Sequence, residues 1–365
     1  MVWNWQLPNW PNFIYESPPI IPKEKQFLLG VGSSFAFLKS IGEQEYHQFV
    51  VEILSMEGLE SSKIEGELLD RESLQSSIKQ HFGLKPPSHH RQKHKESGMA
   101  DLLCNVYEQF DQPLTHEMLY EWHSKLFTDQ FHITDRGKYR THPEPMQIVS
   151  NRHGSPRVFF EAPPSTIVWK EMDAFIAWFN SSRNSESILC RAALAHVYFE
   201  SIHPFEDGNG RIGRLLVEKV LSQGVGKPVL IAVSRILEKN RKLYYAALER
   251  CNQTLEIAHW VEFFANVILE AQEEAMGLLS FLIEKSKIFI KFSGQLNERQ
   301  EKALLRIFSE GPSGFKGGLS AENYLAITKT SRATATRDLV DLLNKGILRK
   351  TGELRHTRYW LQLEI

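Results

Sequence analysis

Twelve residues, His203-Pro204-Phe205-Glu206-Asp207-Gly208-Asn209-Gly210-Arg211-Ile212-Gly213-Arg214, constrain this chain more than any other stretch. They follow a helical run from Ser187 to about Glu200 and lead into another from about Arg211 to Gln223. A loop between two helices is therefore expected here. The Gly-Asn-Gly turn lets backbone N–H groups converge into an anion-binding nest. The helix that follows points the positive end of its dipole at the same spot. Asp207 is suited to Mg²⁺, which binds through few protein carboxylates plus phosphate oxygens. His203 is the one group in the run able to act as a base near neutral pH. Together these residues suit a site that holds a polyphosphate and moves a proton.

The rest of the chain is organised around that loop. A length of 365 residues suggests two or three domains rather than one small core. A net charge of −1 argues against a whole molecule built to bind nucleic acid electrostatically. Cys104, Cys190 and Cys251 are odd in number, far apart and lack a CxxC pair, so neither a disulfide framework nor a zinc ribbon is expected. A reducing, cytoplasmic setting fits best. The first residues, Met1-Val2-Trp3-Asn4-Trp5, do not read as a signal peptide, and no apolar stretch is long enough for a membrane span.

Residues 1–22 are rich in Trp, Pro and Asn, and Trp3, Trp5, Trp10, Phe13 and Tyr15 read as aromatic anchors of an extended arm. Helical spacing covers Lys23 to about Gln80, with Gly66 as a stop and Asp70 as an N-cap. The polar connection 83–98 carries His89, His90 and His94 but no carboxylate or thiolate spaced to complete a metal site, so a solvated basic loop is expected. Two helices fill 99–127, broken at Asp111-Gln112-Pro113. The His116-Glu117 pair is not a zinc motif, because position 120 is Tyr rather than a second His. Between 135 and 165 the texture turns to β, with Gln147-Ile148-Val149 and Arg157–Phe160 around a hairpin loop at Asn151–Pro156. An isolated hairpin in a helical domain often handles substrate. Helices are then expected at Ser165–Ser181, Arg235–Cys251 and Ile257–Ser286.

The C-terminal part differs. Leu296–Phe308, Ser320–Leu325 and Ser331–Leu343 read as three helices, followed by alternating segments at Gly346–Leu348 and Thr357–Leu363. That order is the order of a winged helix-turn-helix. Lys and Arg exceed Asp and Glu by four over 296–365, a mildly basic balance that leaves both DNA binding and protein contact open.

The loop string matches HPFxDGNGRxxR at nine of twelve positions, all but Glu206, Ile212 and Gly213, and so resembles the signature of the Fic family. Ser61-Ser62-Lys63-Ile64-Glu65-Gly66 is similar to that family's inhibitory motif, [S/T]xxxE[G/N]. The resemblance implies a mainly α fold: a helical Fic core with a small β-hairpin flap, an N-terminal helical region and a C-terminal winged helix-turn-helix. The expected boundaries are 1–110, 113–286 and 293–365. It implies transfer of AMP from ATP to a Ser, Thr or Tyr hydroxyl of a target protein. In that reading His203 is the base, Asp207 holds Mg²⁺, and Gly208, Asn209, Gly210, Arg211, Ile212, Gly213 and Arg214 bind the nucleotide. Glu65, with Ser61, would occupy Arg214 and block it. Tyr244-Tyr245 followed by Asn252 resembles the family's spacing, which would turn Tyr244 and Asn252 to the adenine and ribose. Gln147, Ile148 and Val149 resemble the flap that receives a target segment as an added strand. Gly210 separates the chain from Doc-like kinases, which carry Lys there.

Two other readings use the same residues. The site could instead hydrolyse AMP from a modified protein, with Glu65 orienting water. Alternatively, the winged helix could make the chain a DNA-binding regulator with a nucleotide-sensing core. A homodimer also stays open; a membrane partner is not expected.

Overall fold

The structure is a computed structural model that describes residues 1–84, 94–128, 133–149, 157–312 and 314–363. The fold is mainly helical, as expected: fourteen α-helices and two small antiparallel sheets among the described residues. The chain forms two compact units. One comprises Met1–Ser33 and Val50–Glu273, the other Ser34–Phe49 and Glu274–Ile365. No helix among the described residues is long and apolar enough to cross a membrane.

The N-terminal half supplies α1 (Ile21–Ser40), α2 (Glu43–Ile64), α3 (Arg71–His81), α4 (His94–Glu108) and α5 (His116–Leu126). Local chemistry sets their ends. Asp70 caps α3 by accepting from the Ser73 N–H at 2.8 Å, and Thr115 caps α5 by accepting from Met118 at 3.1 Å. Each cap is worth about 1 kcal/mol. Helix α2 stops at Gly66, whose φ of +82° is left-handed. The Glu67 N–H then reaches back to the Ser62 carbonyl at 2.9 Å and the Gly66 N–H to Lys63 at 3.0 Å. This is the paired bonding of a Schellman end, and it needs glycine at the turn. Of the three histidines in the 83–98 connection, His89 and His90 lie outside the described residues, and His94 opens α4. The hairpin loop at Asn151–Pro156 also lies outside them.

Next come β1 (Gln147–Val149), β2 (Val158–Glu161), α6 (Ser165–Ser181), α7 (Ile188–Ile202), α8 (Asn209–Val225), α9 (Val233–Lys239), α10 (Arg241–Glu249) and α11 (Ala258–Lys291). Helix α7 is buried along its length from Leu189 to Ile202. A helix buried on all faces is central, and it packs between α6 and α8. The single helix expected over Arg235–Cys251 is in fact two. Asn240 breaks it at φ −109°, ψ 27°, with its amide Nδ2 donating to the Ile236 carbonyl at 3.2 Å. An Asn side chain that bonds its own backbone competes with helix continuation.

The aromatic arm packs rather than dangles. The Trp3 ring meets Phe160 edge to face at 5.6 Å, and Trp5 Nε1 donates to the Glu161 carbonyl at 2.7 Å. Trp10 and Phe13 both pack on Tyr198 of α7. Buried Asn4 donates to Ser201 Oγ at 2.8 Å and to the Cys251 carbonyl at 3.1 Å.

The second unit carries α12 (Glu298–Ser309), α13 (Ala321–Thr328), α14 (Arg332–Asn344), β3 (Leu348–Thr351) and β4 (Arg358–Leu361). Leu304, Phe308, Tyr324, Leu339, Leu342 and Ile347 form its core. Asp338 ties three parts of it, accepting from Arg299, Asn297 and the Tyr324 hydroxyl. β3 and β4 pair as an antiparallel hairpin from Leu348↔Leu361 to Thr351↔Arg358.

Candidate active site

His203 is the residue at which α7 ends. It takes the left-handed conformation, φ 50° and ψ 60°, and so turns the chain sharply into the loop. A non-glycine residue held there costs roughly 1–2 kcal/mol and needs support. Arg140 supplies it. Its Nε donates to the His203 carbonyl at 2.8 Å, its backbone N–H to Pro204 at 2.9 Å and its Nη2 to Pro163 at 2.5 Å. The loop is also closed from within: Asn209 Oδ1 accepts from the Phe205 N–H at 2.9 Å, and its Nδ2 donates to the Phe205 carbonyl at 2.8 Å. Phe205 is fully buried and stacks on His123 with ring centroids 4.3 Å apart.

Electrostatics keep His203 neutral. Burial, aided by the nearby Arg140 charge, lowers its pKa to about 4. Its Nδ1 lies 3.7 Å from the Glu200 carboxylate. Glu200 is pushed the other way, to about 8, by burial and by the Glu65 charge, with Arg214 opposing. A neutral imidazole keeps one unprotonated nitrogen, and with Nδ1 buried inside the protein Nε2 is the one left to accept a proton.

The expected nest residues open α8. Gly208 is its N-cap, and Asn209, Gly210 and Arg211 form its first turn, where N–H groups have no partner within the helix. Asn209's side chain is spent on closing the loop, so its part in such a nest would fall to its backbone. Ile212 and Gly213 face inward, and Gly213 lies against Glu200 and His196.

Arg214 is fully buried and already paired. Its Nη2 donates to Glu65 Oε1 at 2.7 Å and to the Ser61 carbonyl at 2.9 Å, while Nε donates to Ser61 Oγ at 2.9 Å. Burial alone would lower its pKa, but the Glu65 carboxylate outweighs that and holds it firmly charged. The pairing expected from 61–66 is thus present. Glu65 also fills the space that Gly210 leaves: a Cβ there would collide with Glu65 Oε1.

Beside the loop, between β1–β2 and α10, lies a mostly apolar cavity of about 240 Å³. Val149, Phe159, Tyr245, Leu248, Asn252 and Glu200 line it. Ile148 and Val149 are well exposed on β1, whose register with β2 slips between them. Asn252 holds the hairpin through a 3.0 Å bond from Nδ2 to the Phe159 carbonyl. Tyr244 does not face the cavity. It is buried, bonded to His196 Nε2 at 2.8 Å, and its neighbour Tyr245 lines the cavity instead.

Residues 113–221, which hold this whole loop, match the profile of the Fic/DOC family. The chain carries a Fic/DOC domain. Residues 3–84 match a second profile, a domain of unknown function named DUF4172. The chain is 32% identical over 129 residues to a protein adenylyltransferase Fic of Drosophila sechellia, covering 35% of this chain and 25% of that protein. It is 28% identical over 94 residues to a probable protein adenylyltransferase of Aquifex aeolicus, covering 26% and 27%. The matches therefore span about a quarter of the length of these curated relatives. A crystal structure of a Fic family protein from Desulfovibrio desulfuricans G20 aligns over 96% of this chain and 98% of that one, with a TM-score of 0.55 and 21% identity. That likeness shows the fold.

Within the Fic domain and its N-terminal neighbour, four further residues shape the site without a motif that assigns them to it. Arg140 has no local signal, since its partners lie between 23 and about sixty residues away. Glu200 sits one helical turn before His203, a spacing that could have exposed it. Tyr245 differs from Tyr244 only in which face of α10 it occupies. Glu67 pairs with Arg211 Nη1 at 2.6 Å, and that guanidinium also stacks over Phe127.

The Fic domain fits a magnesium ion only in part by itself. Asp207 is half-exposed, with Oδ1 accepting from the Gly208 N–H at 2.5 Å and lying 3.7 Å from Arg211 Nη2. Among the described residues no group of three or more His, Cys, Asp and Glu side chains could hold a metal alone. A single open carboxylate at a phosphate site is the donor set for an ion that takes its other ligands from phosphates and water.

Proposed function

We propose that this chain is a self-inhibited protein adenylyltransferase. It would move AMP from ATP to a hydroxyl side chain of a target protein and of itself. The observation that carries the reading is the Glu65 carboxylate seated against Arg214 and Gly210, beside a neutral His203. A carboxylate held by a buried arginine at a helix N-terminus sits where a phosphate would be held by the same groups.

In the released state, His203 Nε2 takes the proton from the incoming hydroxyl as its oxygen attacks the α-phosphorus of ATP. The bond to the pyrophosphate oxygen breaks, and pyrophosphate leaves. Arg211 and Arg214 balance the phosphate charge with N–H groups of the first turn of α8. Asp207 would hold Mg²⁺, which neutralises phosphate charge when bound. The cavity lined by Tyr245 and Asn252 suits the adenine, which is flat and mostly apolar. The exposed edge of β1 suits an extended target segment added as a strand. In this reading 1–110 is regulatory, 113–286 catalytic and 293–365 a winged helix. In the same reading duplex DNA would be a second partner of this unit, met by Lys329 and Arg337, which stand exposed on and just before α14.

The test is Glu65→Gly, alone and with Arg214→Ala. The single variant should raise incorporation of label from α-labelled ATP, most visibly on the protein itself. Arg214→Ala should cancel that gain, because it removes the group that orients ATP along with the inhibitory partner. If Glu65→Gly gains nothing with any nucleotide, self-inhibition is wrong. If it loses a hydrolytic activity on AMP-modified protein, removal of AMP replaces transfer.

A further inference from the structure

Two carboxylates from the turn after α2, not one, reach the arginines of the loop. Glu65 takes Arg214, and Glu67 takes Arg211 through a 2.6 Å pair in which the arginine side chain is only 5% exposed. The two acids flank Gly66, and the two arginines are three residues apart on α8. We propose that Glu67 is a second inhibitory residue, which holds Arg211 from nucleotide phosphates while Glu65 holds Arg214.

The turn at Gly66 makes the two locks one device. Its left-handed residue and the Glu67-to-Ser62 bond fix the directions in which side chains 65 and 67 leave the helix end. One face of α8 therefore receives both acids at once. Arg211 is too buried to exchange its partner for water cheaply, since an unpaired buried charge is strongly unfavourable. It can exchange it for another anion, and a phosphate oxygen is one. Glu67 has somewhere to stay when that happens: Lys95 Nζ lies 2.6 Å from its other oxygen. The next residue, Glu96, accepts from the Asp70 N–H at 2.8 Å, so the start of α4 holds the segment between α2 and α3 at both Glu67 and Asp70. Arg211 is also 3.7 Å from Asp207, so the same lock bears on the carboxylate beside the phosphates.

The inference rests on the transfer reading for its consequence, but not for its first measurement. The full chain is used as wild type, Glu67→Gln, Glu67→Asp, Lys95→Met, Glu65→Gly and Glu65→Gly/Glu67→Gln. Calorimetry measures binding of the magnesium complex of α,β-methylene ATP, which cannot transfer AMP. Automodification from α-labelled ATP is measured alongside. Glu67→Gln should bind the analogue about tenfold tighter than wild type, the scale of a lost charge-assisted pair. The double variant should transfer about tenfold faster than Glu65→Gly, on the same footing. Glu67→Asp keeps the charge and should stay nearer wild type. Lys95→Met takes the ammonium from Glu67 without touching its pair with Arg211, and should bind no tighter than wild type. The proposal is overturned if Glu67→Gln gains no affinity in either background. It is equally overturned if Lys95→Met gains as much, for then the bridge is only a brace. If Glu67→Gln tightens binding while no variant transfers AMP, the lock stands and the transfer reading falls.

Discussion

His203 carries the chemistry proposed here, and its conformation and its titration come from different neighbours. Arg140 fixes the backbone by binding the carbonyls around it. Burial, together with that same positive charge, depresses the imidazole pKa to about 4. His203→Ala in the Glu65→Gly background should cut transfer by about 10²–10⁴-fold while leaving ATP affinity in place. Near-parental transfer would remove His203 from the mechanism. The sign of the pH effect follows from the depressed value. A base with a lowered pKa stays unprotonated well below the ordinary histidine value of about 6.5, so the acid limb of kcat/KM should lie near or below pH 4. The Glu65 charge raises the His203 pKa, so removing it should move the limb lower still. A limb at 6.5 would show an exposed imidazole. At this scale the sequence is informative where residues cluster locally, as in the loop from His203 to Arg214; the pair of Glu65 with Arg214, 149 positions apart, could be read only through the resemblance of 61–66 to the family's inhibitory motif. Arg140 could not, because the contact that gives it meaning is made only by folding.

Helix ends do much of the positioning. Asp70 and Gly66 are a cap and a stop whose residue types announce them, and both were legible. Asn240 was not, because helical spacing continues through it while the backbone does not. The Tyr244-Tyr245 pair shows a related limit. Neighbours on a helix point about 100° apart, so a motif locates the pair without saying which ring turns inward. Gly66 offers a test at this scale. A Cβ at Gly66 meets open space, so Gly66→Ala strains the backbone without a clash. The left-handed turn should cost about 1 kcal/mol and lower the melting temperature by about 2–4 °C. Because the turn aims both acids, transfer should rise although both acids remain. A lowered melting temperature with unchanged transfer would mean that the turn does not seat them.

Over the whole molecule a net charge of −1 conceals an uneven distribution. Lys329, Arg332, Arg337, Arg349 and Lys350 are exposed around α14 and β3, with Glu322 and Glu353 as exposed acids nearby. If this surface meets duplex DNA, binding by the full chain should weaken steeply with salt. Arg337→Ala should then reduce the slope of log K against log salt by about 1. Salt-independent or undetectable binding would leave this unit to protein contact. The order of helices and hairpin was readable here because amphipathic spacing and turn residues are local. What such a surface meets is not, since charge excess alone does not choose a partner.

The arm at residues 3–5 has a wider consequence. It bonds both to the hairpin, through Trp3 and Trp5, and to the helix that ends in His203, through Asn4 and Ser201. Binding free energies linked through one element are reciprocal. Whatever seats on the hairpin and favours its docked position must therefore hold the arm down by the same free energy. A peptide ligand would leave its thermodynamic mark at residues it never touches, as slower amide exchange in the arm.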